Sequence, residues 1–135
     1  MSIEHYQNKS TSKSFTDLDV WKKMRALKVK IEDFAKTFPA IEKFRLTGQL
    51  IRSSRGVNSA IAEGPGRYTF PDRIHYCIIG RGSLSETYNH LIDAYDCAYI
   101  TRENLNELRR DIIEVEKLLN GYISWLREQL KNIHL

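Results

Sequence analysis

The sequence has little of what would tie it to a special environment. Two cysteines in 135 residues are too few for a disulfide scaffold, and no apolar run approaches the roughly 18 residues that cross a bilayer. The first ten residues, M-S-I-E-H-Y-Q-N-K-S, lack the apolar core of a secretory signal, so the expected compartment is the cytoplasm and no membrane partner is expected. Proline is scarce, at three residues, and the chain carries no C-x-x-C, G-x-S-x-G, phosphate-loop or G-x-G-x-x-G pattern, which removes the usual signatures of zinc, acyl-transfer and nucleotide chemistry. Cys77 and Cys97 fall on one predicted helix, about 30 Å apart at 1.5 Å per residue, too far to pair. Glu86, His90 and Asp93 share a helical face at i, i+4 and i+7, but a bundle metal centre needs carboxylates from several helices and a Glu-x-x-His repeat. No metal, cofactor or catalytic group is expected, and the chain is read as a non-enzyme.

What is present is a single domain's worth of helical periodicity. Hydrophobic residues make up 41%, enough for a core without staples at this length. Residues 1–14 are polar and read as a mobile tail. From Leu18 the apolar residues Val20, Met24, Leu27, Ile31, Phe34 and Phe38 repeat at threes and fours, predicting a helix over 18–37 that Pro39 stops. A second helix is predicted over 41–63, closed by Gly64-Pro65-Gly66. A third, over 71–98, opens at Pro71 and carries the ladder Ile74, Cys77, Arg81, Leu84, Tyr88, Leu91, Tyr95 and Ala98. The fourth, over 102–132, has Thr101 as N-cap and the ladder Leu105, Leu108, Ile112, Val115, Leu119, Tyr122, Leu126, Gln129 and Ile133. Four helices with short connections predict an all-α, antiparallel up-down-up-down bundle.

The charge is unevenly placed. The net +4 divides into zero over residues 1–17, +3 over 18–38, +3 over 39–70, −2 over 71–100 and zero over 101–135. The excess lies in the first two helices, and Lys22, Lys23, Arg25, Lys28, Lys30, Arg45 and Arg55 are the expected phosphate contacts for RNA or DNA, because such contacts release counterions and dominate non-specific affinity. Helix two is rich in small residues and helix three has Gly80 and Gly82 around Arg81. Interior glycines cost about 1 kcal/mol each, a cost that close helix–helix approach repays. Arg81, on the ladder itself, should be paired or face a subunit seam. The aromatics Tyr68, Phe70 and Tyr99 exceed what one small core uses and fit subunit packing.

Several runs together resemble a known family. F-x-x-L-x-V-W-K-K from Phe15, F-P at 38–39, Q-L-I-R at 49–52, I-A-E-G at 61–64 with Arg67, and G-S-L-S-E at 82–86 resemble the four-helix-bundle proteins encoded in bacterial 23S ribosomal RNA intervening sequences, over about residues 15–130. The accessory variability protein of diversity-generating retroelements is similar in pattern. The resemblance implies a barrel-like homopentamer with a positive surface and no known enzymatic activity, and members related to the retroelement protein bind nucleic acid and a reverse transcriptase. Arg52, Glu63, Gly64, Arg67 and Glu86 fall on the family's polar motif positions. Ala60 replaces the usual Asn, and Arg55 and Gly56 stand where a small apolar residue and Ser are common. Arg52 and Glu86 are expected to pair between helices two and three. Two functions follow as expectations: a nucleic-acid-binding oligomer, or a protein-interaction scaffold with no direct nucleic-acid role.

Overall fold

The computed structural model describes residues 14–67 and 69–134, the side chain of residue 134 excepted; the expected tail, apart from Ser14, and Tyr68 lie outside the described residues. It is all-α, with four long helices: α1 Asp19–Ala35, α2 Leu46–Glu63, α3 Phe70–Asp96 and α4 Arg102–His134. Short 3-10 turns precede α1 (Phe15–Asp17), join α1 to α2 (Ala40–Glu42) and follow α2 (Gly64–Gly66).

The starts of α3 and α4 are capped by side chains. Thr69 caps α3 by accepting from the Asp72 N–H at 3.3 Å, with Pro71 in the first turn. Thr101 accepts from the Asn104 N–H at 3.0 Å while Asn104 Oδ1 accepts from the Thr101 N–H at 3.2 Å, a reciprocal box that satisfies two otherwise orphaned donors. The expected start of α2 at residue 41 is corrected to Leu46. Residues 40–42 take the tighter 3-10 turn instead, and Gly48 lets the turn press on the helix: a Cβ there would lie 2.9 Å from the Lys43 carbonyl oxygen.

The end of α3 is closed by a left-handed residue. Ala98 has φ 61°, the Tyr99 N–H donates to the Ala94 carbonyl at 2.9 Å and the Ala98 N–H to the Tyr95 carbonyl at 2.9 Å. This is the paired-bond C-cap normally filled by glycine. Alanine bears the steric cost of that conformation, so Ala98→Gly is expected to raise stability by about 1 kcal/mol, read as a higher denaturant midpoint at unchanged slope.

The helices pack in a cycle, α1 on α2, α2 on α3, α3 on α4 and α4 back on α1. Partner numbers run in opposite senses along the seams. Ser53 meets Thr87, Gly56 faces Ser83 at 3.6 Å and Ala60 faces Gly80 at 3.4 Å. The core is lined by Val20, Met24, Leu27 and Ile31 from α1 and by Leu108, Ile112, Val115, Leu119, Tyr122 and Leu126 from α4. In α3 the expected ladder is corrected by one position in several turns. Gly80, Thr87 and Ala94 are buried, whereas Arg81, Tyr88 and Tyr95 are partly exposed.

Those small residues let α2 and α3 approach closely. The Ser53 hydroxyl donates to the Leu50 carbonyl at 3.1 Å, and the Thr87 hydroxyl lies 2.8 Å from the Ser83 carbonyl and 2.9 Å from Ser53 Oγ. The buried hydroxyls of Ser53 and Thr87 are therefore satisfied, as their burial requires. Cys77 of α3 is buried in the core, and burial pushes its thiol up to about 12, which keeps it protonated and unreactive.

Candidate nucleic-acid interface

The basic residues of α1 divide by face. On the edge toward α4, the Lys23 ammonium is 3.0 Å from Glu114 and 4.0 Å from Asp111, and Lys30 pairs with Glu107 and, at 3.0 Å, with Asp111. The Glu107 hydrogen bond, supported by Asp111 and opposed by partial burial, holds the Lys30 proton above the ordinary lysine value. The clamp is thus fully made below that ordinary value and weakens only as pH climbs through the raised one. On the edge toward α2, Arg55 donates to Glu32 Oε1 at 2.6 Å. Lys23, Lys30 and Arg55, all expected as phosphate contacts, each have a carboxylate partner. Those partners lie within the subunit.

The outer faces of α1 and α2 differ. Lys22, Arg25 and Arg52 are exposed and Lys28 is half-buried, while Arg45 stands exposed just before α2. Among the described residues no carboxylate lies within ion-pair distance of these five. Arg25 covers the Trp21 ring at 5.7 Å, an arrangement that orders a guanidinium without neutralising it. Arg52 is a motif position outside the expected set of phosphate contacts, yet its exposure places it with the free cations.

The other motif residues have mainly local roles. Arg67 donates to Glu63 at 2.7 Å and to the Tyr76 hydroxyl at 2.8 Å, with its guanidinium 5.0 Å from the Tyr76 ring. Gly64 is buried where α2 turns, and a Cβ there would contact the Arg73 backbone at 3.5 Å. Arg52 and Glu86 do not pair; Glu86 lies 3.4 Å from His90 Nε2 instead. Arg81 is turned off the core and donates to Asn120 Oδ1 at 3.0 Å. Asp93 is 4.0 Å from His90 Nδ1, but no three His, Cys, Asp or Glu groups among the described residues converge as a metal site. A shallow hollow of about 580 Å³ at the α3–α4 turn is lined by Tyr95, Tyr99 and Asn104 among others.

The sequence profile of the 23S rRNA-intervening sequence protein family matches residues 16–121. The chain belongs to that family. No curated protein matches it. Among solved structures, the chain is similar to a protein of unknown function from the S23 ribosomal protein family of Bacteroides thetaiotaomicron, with 27% identity and a TM-score of 0.71, covering 78% of this chain and 95% of that one. The 23S rRNA-intervening sequence profile spans the α1–α2 cations, the close α2–α3 seam and α4 as far as residue 121. No helix among the described residues of this family member is long and apolar enough to cross a membrane.

Proposed function

We propose that the chain is the subunit of a non-enzymatic cytoplasmic assembly, a homopentamer of antiparallel up-down-up-down bundles, that binds RNA or DNA without sequence readout through the outer faces of α1 and α2. The observation that carries the reading is the set Lys22, Arg25, Arg45 and Arg52, exposed and without a carboxylate in ion-pair reach among the described residues. These cations are open to phosphates, whereas Lys23 and Lys30 already have carboxylate partners. The antiparallel arrangement is supported by the falling partner numbers along the α2–α3 and α1–α4 seams. Repetition around a ring turns a weak patch into a strong one, because later contacts become intramolecular.

Native mass and the 260/280 nm absorbance ratio of the purified protein test assembly and bound nucleic acid together. Neutralising Lys22, Arg25, Arg45 and Arg52 jointly is expected to weaken binding and to lower the slope of log affinity against log salt by about 0.7–0.9 for each phosphate no longer neutralised. Neutralising Lys23 and Lys30 should leave the slope unchanged and cost about 1 kcal/mol of stability. Wild-type binding that stays undetectable at low salt would sink the reading. The scaffold reading draws on Ile78 and Ile79, exposed on the outer face of α3; co-purification of a stoichiometric protein without nucleic acid would put it first.

A further inference from the structure

Phe44 is the most exposed large apolar side chain among the described residues, 87% accessible, and Ile41 beside it is 68% accessible. Burying Phe44 would have gained about 1.5–3 kcal/mol, so its display is not what folding favours. The turn that carries it is nonetheless firmly held. The Glu42 N–H donates to the Pro39 carbonyl at 2.9 Å, the Lys43 N–H to the Ala40 carbonyl at 3.1 Å and the Arg45 N–H to the Glu42 carbonyl at 2.9 Å. The Tyr99 hydroxyl donates to Glu42 Oε2 at 2.9 Å, with its ring 5.3 Å from that of the buried Phe38. The close approach of Gly48 to the Lys43 carbonyl presses α2 against the same turn.

Cations stand on both sides of Phe44 in the chain. Lys43 Nζ lies 5.3 Å from the Phe44 centroid and Arg45 follows, exposed. The turn's carboxylate, Glu42, keeps its charge but is drawn toward Tyr99, whose hydroxyl donates to it. An aromatic face held out between two cations matches a polymer that alternates π faces with negative charge. Single-stranded nucleic acid is that polymer, since its bases are free to stack on a side chain while its phosphates reach the cations. A duplex keeps its bases stacked on one another and offers the ring nothing comparable.

We infer that Phe44 is a base-stacking platform for single-stranded nucleic acid, with Lys43 and Arg45 holding the flanking phosphates. This deepens the nucleic-acid-binding reading and rests on it. The ring sits at the opposite edge of the basic patch from Lys22, so a strand that follows the cations of α1 and α2 ends on an aromatic stop.

The test compares full-length wild type with Phe44→Ala and Phe44→Trp against a uridine 15-mer and a duplex of equal length. Phe44→Ala is expected to weaken single-strand binding about tenfold or more while changing duplex affinity less than twofold and leaving the salt slope unchanged. Phe44→Trp should restore binding, and the added indole emission should be quenched by the 15-mer. If Phe44→Ala leaves single-strand affinity intact while the wild type binds, the stacking site is wrong and the electrostatic reading survives. Equal losses on both ligands, or an altered native mass, would make Phe44 a contact to protein, a second copy included, and would overturn the inference. A wild type that binds neither ligand defeats both proposals.

Discussion

Leu119→Ala is expected to cost about 2–5 kcal/mol of unfolding free energy. Leu119 is wholly buried in the core, so the truncation loses the transfer energy of the removed carbons and also leaves a cavity that rigid neighbours fill incompletely. That is a large part of the roughly 5–15 kcal/mol by which a domain is stable. On the same helix Ile113 is 39% exposed, and Ile113→Ala should shift stability by about 0.5 kcal/mol or less. Denaturant midpoints at fixed protein concentration check both, since an assembly's stability depends on concentration. Equal effects at the two positions would contradict the placement of α4's apolar stripe.

The second large effect is at Gly80, and its sign depends on size. A Cβ at Gly80 would meet the Ala60 methyl at 3.4 Å, the Val57 carbonyl oxygen at 3.6 Å and Ile61 at 3.9 Å. Alanine just fits, and its better helix propensity, up to about 1 kcal/mol, offsets the tight approach, so Gly80→Ala should be neutral or mildly stabilising. Gly80→Leu has no such room. Its further carbons must displace α2, and a loss of about 3 kcal/mol is expected. Circular dichroism melts of the two variants measure the contrast; a well-tolerated leucine would mean the seam is looser than its distances.

The sequence marks the helices best where large residues carry the stripe. In α4 the ladder from Leu108 to Leu126 is buried, and in α1 Val20, Met24, Leu27 and Ile31 are likewise inside. In α3 the inward face is built on Cys77, Gly80, Leu84, Thr87, Leu91 and Ala94. Close packing selects small residues there, so a hydrophobicity pattern follows the bulky Tyr88 and Tyr95 beside them. The start of α2 is hidden for another reason. The brief 3-10 turn at 40–42 has no periodicity of its own, and the approach that Gly48 makes possible is to a backbone atom.

Charge is legible as a quantity and not as an arrangement. The surplus in residues 18–70 points to α1 and α2, yet the carboxylates that pair with Lys23 and Lys30 belong to α4, whose own charges sum to zero. Nothing in the local sequence separates Lys22 from Lys23. Their difference is about 100° around a helix, which becomes meaningful only when the neighbouring helix is in place. Phe44 is obscured for the opposite reason, because an isolated aromatic next to a helical run reads as part of its core.

The clamp between α1 and α4 imposes an order on manufacture. Lys30 finds its carboxylates 77 and 81 residues further along the chain. At the usual pace of synthesis, about 5–20 residues per second, they emerge roughly 4–16 s after it. During that interval α1 has α2 to cover part of its apolar stripe, while Lys23 and Lys30 remain uncompensated. The nascent chain thus carries both ammonium groups without their partners although its net charge through residue 106 is already the finished +4, and a chain cut short before residue 107 never closes the clamp.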